Sequence, residues 1–181
     1  MTCKKLMAAA LLWAALTVPA GAFDYNQSVD EIAESPLTAY QTVYLGMPRA
    51  DFDANFSILS DWTFYGSTVS FTERAERTSV VKNVSVTEGI EIFSADTSAK
   101  GKVLAFDNYF KTTDKAIAKS IYSRLVATIC SNMENFPVKQ SDKEVEWTQD
   151  DVSITVAFDG QKDAKGQYIV YIRRYNNKIL K

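Results

Sequence analysis

The chain predicts an α+β domain: an antiparallel sheet packed on two helices, in the order helix, four strands, helix, three strands. Three observations carry this. Two segments show apolar residues at helical spacing, the remaining patterned segments alternate with period two, and those segments follow one another through turn signals. Consecutive hairpins give an antiparallel sheet, and helices grouped on one face of it would bury both apolar stripes. A helix-then-strands unit occurs twice, which suggests a duplicated helix-plus-meander architecture.

The first helix is expected after Gly46-Met47, with Pro48 at its first position, where a missing N–H costs nothing. Asp51 and Asp53 fall in its first turns, where the helix dipole favours acids. Phe52 and Phe56 are four apart and share a face. The second helix is expected after Thr112 or Thr113 as N-cap, with Asp114 behind it. Ile117, Ile121, Leu125 and Ile129 step by four, and Val126, Cys130 and Met133 widen the stripe. Phe136-Pro137 ends it.

The strands read as Thr63 to Thr72, Ser79 to Val86, the short Ile90–Ile92 segment and Lys102 to Phe110. A turn at Asp96 to Gly101 precedes the last of these. After the second helix come Glu144 to Thr148, Val152 to Phe158 and Gln167 to Tyr175. In the first group, Val69 pairs with Phe71 on one face, and Val80, Val84 and Val86 fall together. Val152, Ile154, Val156 and Phe158 alternate with Ser153, Thr155 and Ala157, the pattern of a half-buried strand. Asp150-Asp151 reads as a turn, and Gly160 and Gly166 bracket a hairpin loop.

Residues 1–22 have the order of a secretory signal peptide. Lys4 and Lys5 precede an apolar run from Leu6 to Val18, and Ala20-Gly21-Ala22 is a small-x-small cleavage site. Thirteen apolar residues span about 20 Å of helix, short of a hydrocarbon core of about 30 Å, so no permanent anchor is expected. The mature chain is expected to begin at Phe23 and to be periplasmic or secreted. Residues 23–42, acidic and containing Pro36, are expected to form a flexible arm. Residues 43–181 are expected to form a single α+β domain.

Composition narrows the function. The 181 residues contain no histidine, which excludes His-dependent triads, Cys-His dyads and His-ligated metal. Cys3 leaves with the signal, so Cys130 stands alone and no intrachain disulfide can form. Neither a cofactor nor a metal site is expected. The net charge of −2 becomes −4 without Lys4 and Lys5, which does not suit a nucleic-acid binder. The charges are uneven. Phe23 to Asp61 carries seven acids and one base, Arg49, whereas Lys165, Arg173, Arg174, Lys178 and Lys181 follow Asp163 with no acid among them. That basic end is either a solvated edge or a surface for an anionic partner.

The candidate binding residues are Tyr171, Arg173 and Tyr175. Alternation places them on one strand face if Val170 and Ile172 turn inward. Tyr and Arg are enriched at binding hot spots because they join large contact area to hydrogen bonding; the same pattern also suits ordinary cross-strand pairing. Glu144 and Glu146 share a strand face, as a solvated surface or as a carboxylate pair. An enzyme using carboxylates alone would need two acids converging in one cleft. Cys130, beside an apolar stripe, is expected to be buried and inert.

The run Val43-Tyr44-Leu45-Gly46-Met47-Pro48-Arg49-Ala50-Asp51-Phe52 resembles the opening of exported modules related to the β-lactamase inhibitor protein and to the small lipoprotein of the outer-membrane barrel-assembly machinery. Those modules often open a helix with a Gly-Met-polar-x-acidic run. The resemblance implies a small α+β fold, sometimes duplicated, and work in protein binding. It carries over no individual binding residue. The expected function is therefore that of an exported, non-enzymatic binding module whose partner is another exported or envelope protein. Binding of an anionic envelope polymer, glycan or small ligand is the alternative, and a carboxylate-only hydrolase the next.

Overall fold

The computed structural model describes residues 23–81, 83–133 and 135–180; the expected signal peptide lies outside them. The elements run α1 Tyr25–Glu34, α2 Arg49–Phe56, β1 Thr63–Tyr65, β2 Thr72–Val81, β3 Val84–Ser94, β4 Val103–Thr112, α3 Lys115–Asn132, β5 Lys139–Gln140, β6 Glu144–Gln149, β7 Val152–Ala157 and β8 Tyr168–Asn176. The class is α+β. One antiparallel sheet of eight strands has the order β1-β2-β3-β4-β8-β7-β6-β5. It is two four-stranded meanders whose last strands, β4 and β8, pair at the centre.

Among the described residues three helices, not two, accompany the sheet, and the largest departure from expectation is at residues 23–42. This stretch is not an arm. Asp24 caps α1 by accepting from Asn26 N–H at 2.9 Å, and Val29, Ile32 and Ala33 are buried in one cluster with Ile121, Leu125 and Ile129 of α3. Arg124 ties the pair from outside, reaching Asp30 at 2.6 Å. The acids that gave the stretch its arm-like composition lie on the outer face of a helix.

The other boundaries shift for local reasons. Pro48 is the N-cap of α2 rather than its first helical residue, and Asp114 itself caps α3, accepting from Ala116 and Ile117 N–H. Phe52 and Phe56 stack on one face with ring centroids 4.7 Å apart. The stretch expected as one strand from Ser79 to Val86 is a hairpin: Val81 pairs with Val84 across a two-residue turn containing Asn83 at φ +66°. Val84 and Val86 share the helix-side face of β3, but the hairpin sends Val80 to the opposite face, where it is exposed. Residues 66–71 form a loop rather than a strand, leaving Val69 and Phe71 exposed. Cys130 is exposed, not buried.

The core has two parts on the same sheet face, because Val86, Ile90 and Ile92 of β3 have one parity and Phe106 and Phe110 of β4 have one parity. One part joins α1 and α3 to β6, β7 and β8; Trp147 lies at its centre, fully buried. The other joins α2 to Ala75, Ile90, Ile92 and Phe106.

Between the two runs a buried polar seam. Glu88 of β3 is fully buried. It accepts from Arg77 Nε at 2.7 Å, from Ser28 Oγ at 3.1 Å and from the Tyr40 hydroxyl. Burial raises its pKa, although Arg77 opposes this. Asn108 links Tyr40 to Arg174, which donates to the Asn108 Oδ1 at 2.6 Å and to the Pro36 carbonyl at 2.8 Å. Arg174 is fully buried, and burial lowers its pKa to about 9, so it remains a cation at neutral pH. Tyr40 reaches inward from a tight turn in which both Tyr40 and Gln41 have positive φ, closed by paired bonds between Ala39 and Val43. Neither is glycine, so this backbone is held against its preference by what the tyrosine touches.

Because α1 is core, Ile32→Ala is expected to lower unfolding free energy by about 2–5 kcal/mol in chemical denaturation. A change near zero would return residues 23–42 to the status of an arm.

Candidate functional site

The three described helices lie on one face of the sheet, so the other face is bare of helices, although Asp107, Tyr109, Ser153 and Thr155 on it are themselves buried. Side chains of opposite parity line it: Tyr171, Arg173 and Tyr175 on β8, Asp107 and Tyr109 on β4, Gly89, Glu91 and Phe93 on β3, and Glu144 and Glu146 on β6. Register carries one row across all eight strands: Tyr65, Arg74, Glu91, Asp107, Arg173, Thr155, Glu146 and Lys139.

Val170 and Ile172 are buried, so β8 presents Tyr171, Arg173 and Tyr175 to this face together. They form the floor of a depression of about 560 Å³, with Phe93, Leu104 and Leu180 as apolar walls and Glu144 and Glu146 as polar ones. A second hollow of about 420 Å³ adjoins it and shares Tyr171 and Glu144. Arg173 is exposed, and the two tyrosines are half-buried.

The depression is electrically satisfied. Arg173 grips Asp107 with two bonds, Nε to Oδ1 at 2.9 Å and Nη2 to Oδ2 at 2.6 Å. That hydrogen bonding raises the Arg173 pKa further. Its guanidinium lies 5.6 Å from the Tyr171 ring centroid and 5.9 Å from that of Phe93. The Tyr175 hydroxyl donates to Glu146 at 3.1 Å, and Lys139 holds Glu144 at 3.0 Å. Burial, and then the neighbouring Asp107, raises the pKa of Glu91. Asp107 and Phe93 were not singled out from sequence. Both faces of β4 are largely buried, Ala105, Asp107 and Tyr109 on one and Phe106, Asn108 and Phe110 on the other, so no polar alternation marked Asp107 as facing β8.

Glycine matters at one place on this face. A Cβ on Gly89 would sit 2.1 Å from the Tyr109 ring. The bare backbone lets that ring lie across β3 and reach β2, where its hydroxyl donates to Glu76 at 2.6 Å. Burial alone would raise the Glu76 pKa, but the bonds from Tyr109 and Lys111 outweigh it and hold the carboxylate low.

The basic C-terminal end does not form a cationic edge among the described residues. Arg174 is buried, Arg173 is paired, and Lys178 meets Asp151 at 2.6 Å, which leaves Lys165 as the one described cation of this end that is exposed and without an ion pair. Lys181 lies outside the described residues. No cluster of three metal-ligating side chains occurs among those described, and no described helix is long and apolar enough to cross a membrane.

Two acids do converge elsewhere. Asp53 of α2 and Glu73 of β2 lie close together beside Arg49, with Asp53 Oδ1 and Glu73 Oε2 buried and without a hydrogen-bond partner among the described residues, and neither acid lines the depression. Arg49 and Glu73 are both buried and meet at 2.6 Å. Arg49 also donates to the Ser67 and Ser70 carbonyls, which holds the 66–71 loop to α2. Burial, and then Glu73, pushes the Asp53 pKa up to about 7. Burial works against the Glu73 charge, but Asp53, Arg49 and the Ser67 N–H outweigh it and keep that carboxylate low.

Comparison of the chain with protein-family models, with curated proteins and with solved structures found no match.

Asp53 holds its proton to higher pH when folded than when unfolded. Its contribution to stability is complete below about pH 4 and is lost as pH rises through about 7. Asp53→Asn is expected to flatten the decline in Tm between pH 5 and pH 8 that the native protein shows. An identical decline in both proteins would mean that Asp53 carries no extra proton. Gly89→Ala is expected to displace the Tyr109 ring and cost about 1–3 kcal/mol, read by denaturation and tyrosine fluorescence.

Proposed function

We infer that this chain is an exported, non-enzymatic binding module that engages another exported or envelope protein through the helix-free face of its sheet. One observation carries the reading. Tyr171, Arg173 and Tyr175 share a depression in which every charged group on the floor already has a partner. A surface of aromatic area, fixed hydrogen-bonding groups and an arginine already paired suits a protein interface, whose centre is desolvated on binding. An anionic polymer would need free cations, and Arg173 has spent its charge on Asp107. The carboxylates of the depression are likewise occupied, Glu146 by Tyr175 and Glu144 by Lys139, so the surface is read as recognition rather than hydrolysis. The likeness of Val43–Phe52 to the exported binding modules, and the two helix-plus-meander halves, support the same reading.

Crosslinking of the tagged protein in its own cells, followed by affinity capture, is expected to enrich one or two exported proteins. The Tyr171→Ala, Arg173→Ala double variant is expected to weaken the captured complex at least tenfold, with modest dependence on salt between 50 and 300 mM. Unchanged affinity would remove this face as the site. Affinity that falls steeply with salt would instead favour an anionic polymer.

A further inference from the structure

The two halves of the sheet treat equivalent edges differently. β2 and β6 are the second strands of the two meanders, and each ends in a two-residue hairpin turn: Val81 pairs with Val84, and Gln149 with Val152. In such a hairpin the residues flanking the turn bond to each other, and bonding then alternates along the strand. Thr148, Glu146 and Glu144 of β6 therefore point their backbone groups outward. So do Val80, Thr78, Glu76 and Arg74 of β2.

On β6 these groups are taken. Val138 N–H donates to the Glu146 carbonyl and Ser141 N–H to the Glu144 carbonyl, each at 2.8 Å, while the Asn135 side chain donates to the Thr148 carbonyl. On β2, the three-residue β1 covers only Arg74 to Glu76. Thr78 and Val80 have no backbone partner on their outer side among the described residues. Thr78-Ser79-Val80-Val81 also lacks the lysine, proline or bulge that ordinarily blunts an open edge. Val80 is 66% exposed.

Beside this edge lies a hollow of about 490 Å³ that shares Arg77 with it. Its lining includes Asp24, Glu31 and Asp61, with Arg77 the one cation among the described residues that line it. Arg77 is already bound by Glu88 and Asp61, at 2.7 and 3.0 Å. The local field is therefore negative. A residue of an added strand standing opposite Ser79 would point to the helix side, next to this hollow.

We propose that the outer edge of β2 at Thr78–Val81 is a strand-addition site for an extended segment of a protein partner that carries lysine or arginine on its helix-side face. The backbone of Thr78 and Val80 supplies affinity, and the acid-lined hollow selects the basic side chain. This surface is separate from the bare sheet face and stands whether or not that face binds.

The test uses a seven-residue acetylated peptide alternating valine with lysine, and a twin with glutamate in place of lysine. Hydrogen exchange is read at the Thr78 and Val80 amides, and affinity by fluorescence anisotropy. The lysine peptide is expected to protect both amides and to bind at least tenfold more tightly than its twin. Glu31→Lys, on the exposed side of α1, is expected to remove most of that preference. Val80→Pro deletes only an outward N–H and is expected to abolish protection at Thr78. Equal binding of the two peptides, or unchanged amides, would overturn the proposal. So would protection of the same amides by self-association without peptide, which would assign the edge to a second copy.

Discussion

Arg174 is the residue on which the rest of the structure depends. It brings a full positive charge into the core with no carboxylate among the described residues in direct contact. A guanidinium needs many acceptors and does not give up its proton under ordinary conditions. The acceptors come from four places: Asn108 on the neighbouring strand and the carbonyls of Pro36, Thr38 and Ile172. Satisfying one cation thus fixes where the chain between α1 and α2 must run. Tyr40, from the same stretch, then completes the coordination of buried Glu88. Removing any member would leave a buried charge or dipole without its partner, which costs more than the bond itself contributes.

The same constraint sets the bare face. Strand β8 carries two adjacent arginines, and a pleated strand must send them to opposite sides. With Arg174 held inside, Arg173 has to be outside, and Tyr171 and Tyr175 with it. A slip of one residue would exchange the faces, burying Arg173 and exposing Val170 and Ile172. The recognition surface is in this sense the reverse side of the polar seam. Asp107 and Asn108 on β4 repeat the arrangement, one partnering Arg173 outside and the other Arg174 within.

Much of this was legible in the chain. The alternation of Val152 to Phe158, the four-residue steps of α3 and the hairpin glycines mark real elements; alternation also puts Tyr171, Arg173 and Tyr175 on one face, and the burial of Val170 and Ile172 makes it the outward one. Three things were not legible. Residues 25–34 show the spacing of a helix at Val29, Ile32 and Ala33, but ten residues stand as a helix only by packing on α3, which no local pattern declares. The hairpin between β2 and β3 turns between Val81 and Val84, where the sequence lacks the Asn-Gly that usually marks such a turn. Arg174 and Glu88 read as surface charges, because burial of a charge is decided by partners 66 and 60 residues away in sequence. The bare face was half visible for the same reason: β8 showed its own row, but not the Asp107 that neutralises it.

The most direct measurement is the equilibrium stability of Arg174→Met, followed at once by far-ultraviolet circular dichroism and by tyrosine fluorescence. Methionine keeps the length and apolar stem but offers no donor. A loss of about 3 kcal/mol or more is expected, with the Tyr171 and Tyr175 surroundings altered in the folded state. Stability equal to or above that of the native protein, with unchanged tyrosine signals, would show that the seam is dispensable and that the register of β8 is set by its apolar residues alone.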